Sequence, residues 1–305
     1  MKNILMGLLL LVVAGSAPAQ TRQTAVDENT LLWRISGKDL KQPSYLFGTM
    51  HMLCATQIDL SDSLRDAIKR TDYVYLELDM ENMQELMGVM SKMKMTGDTT
   101  LADLLPRSAY DSVRAFFSDK PGMIPFTMLE KFKPMLAASA VMEADVSCQN
   151  PVGMEQLIMV EARQQRRGIR GLETMAFQMS IFDSIPYRLQ AQQLLDYVKN
   201  YGKTDNRKTF DEMMSAYVNQ RLDKLQAITL EENAGMEPCM DVLLYRRNID
   251  WVKKMSALMP EHAVVVAVGA GHLPGDKGVI ALLRKAGYTV EPVENNMLKK
   301  LEKNL

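Results

Sequence analysis

Six residues near the C-terminus, Ala263–Val268, constrain the fold of this chain more than any other segment. All six are apolar and four are valine. A strand with one face in solvent would carry polar residues at every second position. An unbroken β-branched run is typical of a strand that is buried on both faces, as in parallel sheets covered by helices. The segment therefore predicts an α/β fold.

Apolar segments near both ends of the chain are predicted to complete the sheet. Leu31–Ile35 and Tyr45–Phe47 flank a turn with Gly and Pro, which predicts a hairpin. Tyr73–Asp79 follows a helix predicted over 60–70, and this strand–helix–strand order predicts a parallel pair. Tyr288–Val293 is the last predicted strand. We expect a small mixed sheet built from the N- and C-terminal segments.

The middle of the chain, about residues 81–259, is predicted to be a large helical insert with one short strand at Ile169–Leu172. Helical periodicity covers 81–95, 153–167, 174–184, 187–200, 208–228 and 238–259. Most of the 25 methionines fall on these helices. Core packing is their favoured role, and the lining of a substrate groove is the alternative. Residues 20–305 are expected to form a single domain.

The N-terminus predicts export. Lys2 precedes the apolar run Ile4–Val13, and Ala17–Ala19 has the small-x-small pattern of a cleavage site. Residues 1–19 are therefore interpreted as a signal peptide cleaved after Ala19, since the run is shorter than the ~20 residues that span a bilayer. The mature protein is expected to be periplasmic or secreted, with no membrane span.

The overall charge disfavours a nucleic-acid partner, because 36 Lys and Arg balance 37 Asp and Glu. Export permits disulfides, and Cys148 and Cys239, both in loop-like sequence, are the favoured pair. Cys54 lies three residues after His51. A buried hydrophobic role is favoured for this cysteine over that of a catalytic thiolate.

Two of the three histidines follow a common pattern. His51 and His272 each come after an apolar strand, a glycine and two further residues. Open α/β sheets present ligand-binding residues just past the carboxyl ends of their strands, and neutral imidazole is the commonest metal ligand. We predict that the two histidines bind one metal ion, although each alone could be a hydrogen-bonded structural residue. His262 is expected to be solvated.

Glutamates and a late helix provide further candidates. Glu77 lies among apolar residues near the end of its predicted strand, where a buried carboxylate needs a partner, and it is predicted to be a metal ligand or a general base. Glu173 or Thr174 is a candidate helix cap. Arg247 is a candidate for binding a substrate carboxylate or an oxyanion, with a surface salt bridge as the alternative. The hydrolase and nucleotide-binding motifs HExxH, GxSxG and GxxxxGK[ST] are absent from the sequence.

Taken together, these segments resemble the TraB/GumN family, which includes the Tiki proteases. The resemblance covers about residues 31–294 and depends on the order and spacing of several short motifs. They are Tyr45–His51, Tyr75–Asp79, Gly153–Glu155, Gly171–Thr174 with Gln178, Arg247–Asn248 and Val268–Gly275. The chain differs from Tiki proteins in having no predicted membrane anchor.

The resemblance implies a fold like that of erythromycin esterase and ChaN-like proteins. It also implies metal-dependent hydrolysis, with cleavage of peptide bonds in the Tiki branch. The implied metal ligands are His51, His272, Glu77 and Glu155, and the implied ion is manganese or cobalt, with zinc as an alternative. Catalytic roles are implied for Glu77, Glu173, Arg247 and Asn248.

The leading hypothesis is therefore an exported metallohydrolase that acts on a peptide, with Arg247 or Asn248 stabilising developing negative charge. Two alternatives remain. One is a non-catalytic protein that uses the same cleft to bind a peptide or a haem-like ligand, and the other is an esterase that acts on a small molecule.

Overall fold

The computed structural model describes residues 28–54, 58–119, 125–145, 151–232 and 237–298. Eight strands lie within these ranges. They are β1 (Leu32–Ser36), β2 (Ser44–Thr49), β3 (Leu53–Cys54), β4 (Tyr73–Leu78), β5 (Pro151–Val152), β6 (Gly168–Glu173), β7 (Val264–Gly269) and β8 (Thr289–Val293). The predicted signal peptide and Cys148 lie outside the described residues.

Most of the remaining described chain is helical. The α-helices are α1 (Asp62–Arg70), α2 (Met83–Val89), α3 (Leu101–Leu104), α4 (Arg107–Ser118), α5 (Phe126–Leu129), α6 (Pro134–Asp145), α7 (Met154–Gln164), α8 (Met175–Asp183), α9 (Tyr187–Asn200), α10 (Thr204–Val218), α11 (Leu222–Glu232), α12 (Glu237–Met240), α13 (Arg246–Leu258) and α14 (Val279–Lys285). Met90–Met93 and Ala270–His272 are 3-10 helices, and Asp241–Tyr245 is a π-helical turn.

The predicted α/β class is confirmed. Six strands form one mixed sheet in the order β6-β4-β7-β2-β1-β8. β6, β4, β7 and β2 are mutually parallel, whereas β1 is antiparallel to both β2 and β8. The predicted hairpin is the β1–β2 pair. The helical insert also contributes the edge strand β6, so the sheet does not come from the chain ends alone.

The buried run lies in the middle of this sheet. Val264 to Val268 are at most 1% exposed, as predicted for a strand covered on both faces. β7 pairs with β2 on one side and β4 on the other. β2 and β4 are parallel, as predicted, but they are not neighbours, because the C-terminal strand β7 lies between them.

Two of the predicted long helices are interrupted. The helix predicted over 208–228 is divided into α10 and α11 by residues 219–221, where Gln220 has a φ of +56°. The helix predicted over 238–259 contains the π-helical turn before α13. Such turns break the regular hydrogen-bond ladder and occur often at functional sites.

The methionines divide between core and surface. Buried methionines include Met154, Met214 and Met255, as the core-packing interpretation predicts. Met80, Met83, Met87, Met90, Met128 and Met142 are instead substantially exposed. Among the described residues, no helix combines the length and apolar character that crossing a membrane requires.

Candidate functional site

The carboxyl ends of the four parallel strands lie at one edge of the sheet, and each strand brings a polar side chain there. β2 leads to His51, and Glu77 is the next-to-last residue of β4. β6 ends at Glu173, and β7 leads to His272. Side chains from distant parts of the sequence meet at this edge because parallel strands end on the same side. All the predicted site residues lie on these strands, on the loops after them, or on α7 and α13.

His51 is held next to the start of α7. The loop after β2 is fixed by the short β3–β5 ladder and by the Met154 amide, which donates to the Met50 carbonyl at 3.0 Å. His51 Nδ1 then lies 2.8 Å from Glu155 Oε1. Contact with Glu155 raises the pKa of His51 to about 9. The two residues form a pair at the mouth of the site, where the His51 side chain is 73% exposed.

Gly153 allows this close approach. A Cβ at this position would lie 3.0 Å from the His51 carbonyl oxygen and 2.9 Å from Glu155 Oε2. Any side chain at residue 153 would therefore displace either the backbone of the histidine loop or the carboxylate. The absence of a side chain explains the Gly-Met-Glu sequence at the start of α7.

Arg247 lies at the centre of the site, and its side chain is only 11% exposed. Its Nε donates to Glu173 Oε1 at 3.0 Å, and its Nη2 donates to Glu173 Oε2 at 2.8 Å and to Glu77 Oε2 at 2.6 Å. Its Nη1 donates to the Leu243 carbonyl of the π-helical turn and lies 3.4 Å from His272 Nε2. The alternative interpretation of Arg247, a salt bridge on the surface, is therefore wrong, because the side chains of its partners Glu77 and Glu173 are only 15% and 3% exposed.

Glu77 is ionised in this environment. Its Oε1 accepts the Gly269 amide at 2.8 Å, and its Oε2 accepts the Arg247 guanidinium. Burial raises the pKa of Glu77. The charge of His272, which is protonated at the acidic pH where Glu77 titrates, the charge of Arg247 and the Gly269 amide outweigh this effect and lower the pKa to about 2. The carboxylate therefore has the partners that its buried position requires.

The hydrogen bonds of Asn248 fix the tautomer of His272. Asn248 is 1% exposed, and its amide nitrogen donates to the Lys277 carbonyl at 2.9 Å. Its Oδ1 must then face His272 Nδ1, 2.6 Å away, so Nδ1 carries the proton and Nε2 has the free lone pair. Burial lowers the pKa of His272 to about 4, which leaves the ring neutral at neutral pH. His272 is thus prepared as an acceptor or a metal ligand.

Trp251 is a site residue for which the sequence predicts no role. Its Nε1 donates to Glu173 Oε1 at 2.9 Å, its ring lies 4.7 Å from the Arg247 guanidinium, and it contacts the His272 ring. The signal was the spacing of four residues between Arg247 and Trp251, which places both on one face of α13. Gln178 from α8 completes the cluster by donating to Glu173 and Glu77.

Other predictions for these segments have clear outcomes. Thr174 caps α8 by accepting the Phe177 amide, whereas Glu173 points to Arg247. His262 is partly solvated, with 46% of its side chain exposed, as predicted. It lies at the amino-terminal end of β7, away from the carboxyl edge of the sheet.

The donor set has the chemistry of a divalent-metal site, although its members lie in two pairs. His51 lies with Glu155, and His272 Nε2 lies 4.0 Å from Glu77 Oε1. Within the described ranges, no three His, Cys, Asp or Glu side chains converge closely enough to hold an ion. Glu155 Oε1 is buried, and His51 Nδ1, 2.8 Å away, approaches it without a well-aligned hydrogen bond. A buried carboxylate oxygen whose hydrogen bonding is incomplete fits a metal ligand.

The fold and the site define a mixed α/β protein with a histidine–glutamate centre at the carboxyl edge of its parallel strands. The chain belongs to the TraB/PrgY/gumN family, whose profile matches residues 31–292.

Several proteins of known name are similar to this chain. Metalloprotease TIKI1 of Homo sapiens is 23% identical over 91% of this chain, and metalloprotease TIKI2 of Danio rerio is 24% identical over 87%. The chain spans 64% and 61% of the lengths of these two relatives. The uncharacterized protein YbaP of Shigella flexneri is 26% identical over 79% of this chain and 88% of its own length. No solved structure matches the chain.

The ionised state of Glu77 predicts an acid-labile contribution to stability. Its pKa is about 2 in the folded protein against 4.5 ordinarily, so the unfolded protein binds the proton first as the pH falls. The contribution is present above pH 4.5 and is lost as the pH falls through 2. The difference corresponds to about 3 kcal/mol. We expect the stability advantage of the metal-free wild type over Glu77→Gln to shrink by this amount, as measured by urea unfolding between pH 6 and pH 2. Parallel pH profiles would contradict the assignment.

Proposed function

We propose that this protein is an exported, metal-dependent hydrolase that cleaves peptide bonds. The observation that carries the proposal is the gathering of two imidazoles and two carboxylates, His51, His272, Glu77 and Glu155, at the carboxyl edge of the parallel strands. Membership of a family that contains named metalloproteases supports the same reaction class. Export by cleavage after Ala19 and a single domain over 20–305 are part of the proposal.

The same four residues are the proposed ligands of a divalent ion, manganese or cobalt, with zinc as the alternative. A divalent ion in such a site polarises a carbonyl group and lowers the pKa of water. His272 offers a neutral Nε2 lone pair whose direction Asn248 fixes. Glu77 offers a carboxylate that stays ionised throughout the physiological pH range.

His51 must lose a proton before it can bind a metal ion. Because the pKa of its ring is raised to about 9, it is protonated at neutral pH in the metal-free protein. It must therefore release a proton to solvent before it can bind a cation, so metal binding should depend on pH. Glu155, 2.8 Å away, stays ionised and can bind the ion once the ring is neutral.

Arg247 and Glu173 are proposed to control charge around the reacting group. Arg247 is the cation next to Glu77 and His272, and its positive charge favours negative charge that develops nearby in a low-dielectric site. Glu173 keeps the guanidinium in place by accepting from both Nε and Nη2. The contacts of Asn248 favour positioning of His272 over direct contact with substrate.

Substrate panels with controlled metal content test the proposal. Purified protein is stripped with a chelator, reloaded separately with Mn²⁺, Co²⁺ or Zn²⁺, and assayed against fluorogenic peptides and small-molecule esters. We expect peptide turnover that is lost on stripping and restored by one of these ions. Equal turnover with and without metal would contradict the proposed chemistry. Turnover of esters alone would indicate the esterase, and tight ligand binding without turnover would indicate a sequestering protein.

A further inference from the structure

Arg247 occupies the space between two of the proposed metal ligands. Its Nη2 donates to Glu77 Oε2 at 2.6 Å, and its Nη1 lies 3.4 Å from His272 Nε2, the nitrogen with the free lone pair. His272 Nε2 and Glu77 Oε1 are themselves 4.0 Å apart. The guanidinium thus already binds, as a cation, the groups that a divalent ion would use.

We propose that Arg247 is an internal counter-cation that competes with a divalent metal ion for Glu77 and His272. This inference rests on the ligand set of the proposed function. Both cations are attracted to the Glu77 carboxylate and to the Nε2 lone pair of His272, and like charges repel at such short distances. Binding of the ion is therefore expected to break the Arg247–Glu77 hydrogen bond.

The remaining contacts of Arg247 are arranged so that it can give up Glu77 without leaving the site. Glu173 accepts from both Nε and Nη2, and the Leu243 carbonyl accepts from Nη1. The Trp251 ring lies 4.7 Å from the guanidinium and fixes Glu173 through its own Nε1. A guanidinium has five N–H donors in a fixed fork, so the loss of one bond leaves the others in place.

The competition also accounts for the separation of the donors into two pairs. Glu77 Oε2 accepts from both Arg247 and Gln178, Oε1 accepts the Gly269 amide, and the lone pair of His272 Nε2 faces the guanidinium. A purely structural ion pair would stabilise the protein but would not share ligands with a metal. The two roles therefore differ in their effect on metal affinity.

Metal affinity of Arg247→Gln tests the inference. Dissociation constants for Mn²⁺ and Zn²⁺ alone are measured by equilibrium dialysis on chelator-stripped wild type and variant. We expect the variant to bind about 10- to 100-fold more tightly, since one charge-assisted hydrogen bond no longer has to break. The thermal stabilisation caused by metal should also be larger in the variant.

Arg246→Gln is the matched control. It removes the same charge from the neighbouring residue, whose side chain is 70% exposed and pairs with Asp241. Its metal affinity should equal that of the wild type, which separates direct competition from a general change in charge. Arg247→Lys covers the case in which the glutamine variant does not fold. Lysine keeps the charge without the fork, and a several-fold tighter affinity is expected.

The outcomes separate this inference from the proposed function. Equal or weaker metal binding by folded Arg247 variants, with a wild type that binds metal, would overturn the competition alone. Failure of the wild type and all variants to bind either ion at millimolar concentration would overturn both. Binding by the Arg247 variants but not by the wild type would support the competition and contradict the metal dependence proposed for the wild type.

Discussion

Replacing Glu173 with alanine is expected to lower the free energy of unfolding by about 3–5 kcal/mol. The Glu173 side chain is only 3% exposed, and it accepts hydrogen bonds from Arg247, Trp251 and Gln178. Its removal leaves the buried guanidinium with one carboxylate fewer and the indole N–H without its acceptor. Breaking a buried ion pair costs more than the pair contributes, because the remaining charge stays out of water.

Urea unfolding of metal-free protein at neutral pH measures this effect. Glu291→Ala is the control, since Glu291 is 55% exposed and pairs with Arg34 at 3.1 Å on the surface. Exposed pairs contribute about 0–1 kcal/mol, so this variant should unfold close to the wild type. A similar loss in both variants would mean that Glu173 does not hold a buried charge network.

Substitution of either His51 or His272 by alanine is expected to reduce kcat/KM for peptide cleavage by about 10³-fold or more. Each variant removes a proposed metal ligand, and His272→Ala also removes the acceptor that faces Arg247. The measurements are metal content by mass spectrometry and initial rates on the best peptide substrate. Both quantities should fall together.

The third histidine provides a control within the same chain. His262 is 46% exposed and lies 3.8 Å from Asp72 at the opposite edge of the sheet, so His262→Ala should keep both metal and activity. Retention of full activity by His51→Ala or His272→Ala would exclude the proposed site. Equal losses in all three variants would indicate a general effect on folding.

Much of the fold was predictable because burial patterns are local. The valine run, the hairpin and the helix that begins after Ser61 were all evident from composition and periodicity. The order of the strands was not evident, since β2 and β4 present apolar faces that are compatible with several neighbours. The valine run did indicate the position of its own strand in the sheet. A strand without polar residues on either face belongs in the middle of a sheet, where both of its edges are paired.

Some residues of the candidate site were also predictable from local sequence, and others were not. The strand-end positions of His51 and His272 followed from repeated local sequence, and Glu77 followed from its apolar neighbours. The central position of Arg247 did not, because its carboxylate partners come from β4 and β6, more than seventy residues earlier in the chain. Contacts of this kind depend on tertiary packing, which periodicity does not encode. The catalytic and metal-binding roles of all these residues stay predictions.

The central position of β7 has a consequence for how the chain is made. β2 and β4 are synthesised early, but each depends on a strand near the C-terminus for one of its ladders. Until that strand emerges, both carry open edges, and such non-local pairing makes folding slow and exposes the chain to aggregation. The six-stranded sheet therefore cannot be completed until translation of the chain has nearly ended. Truncation after α13 should leave a sheet with a missing centre, rather than a smaller stable domain.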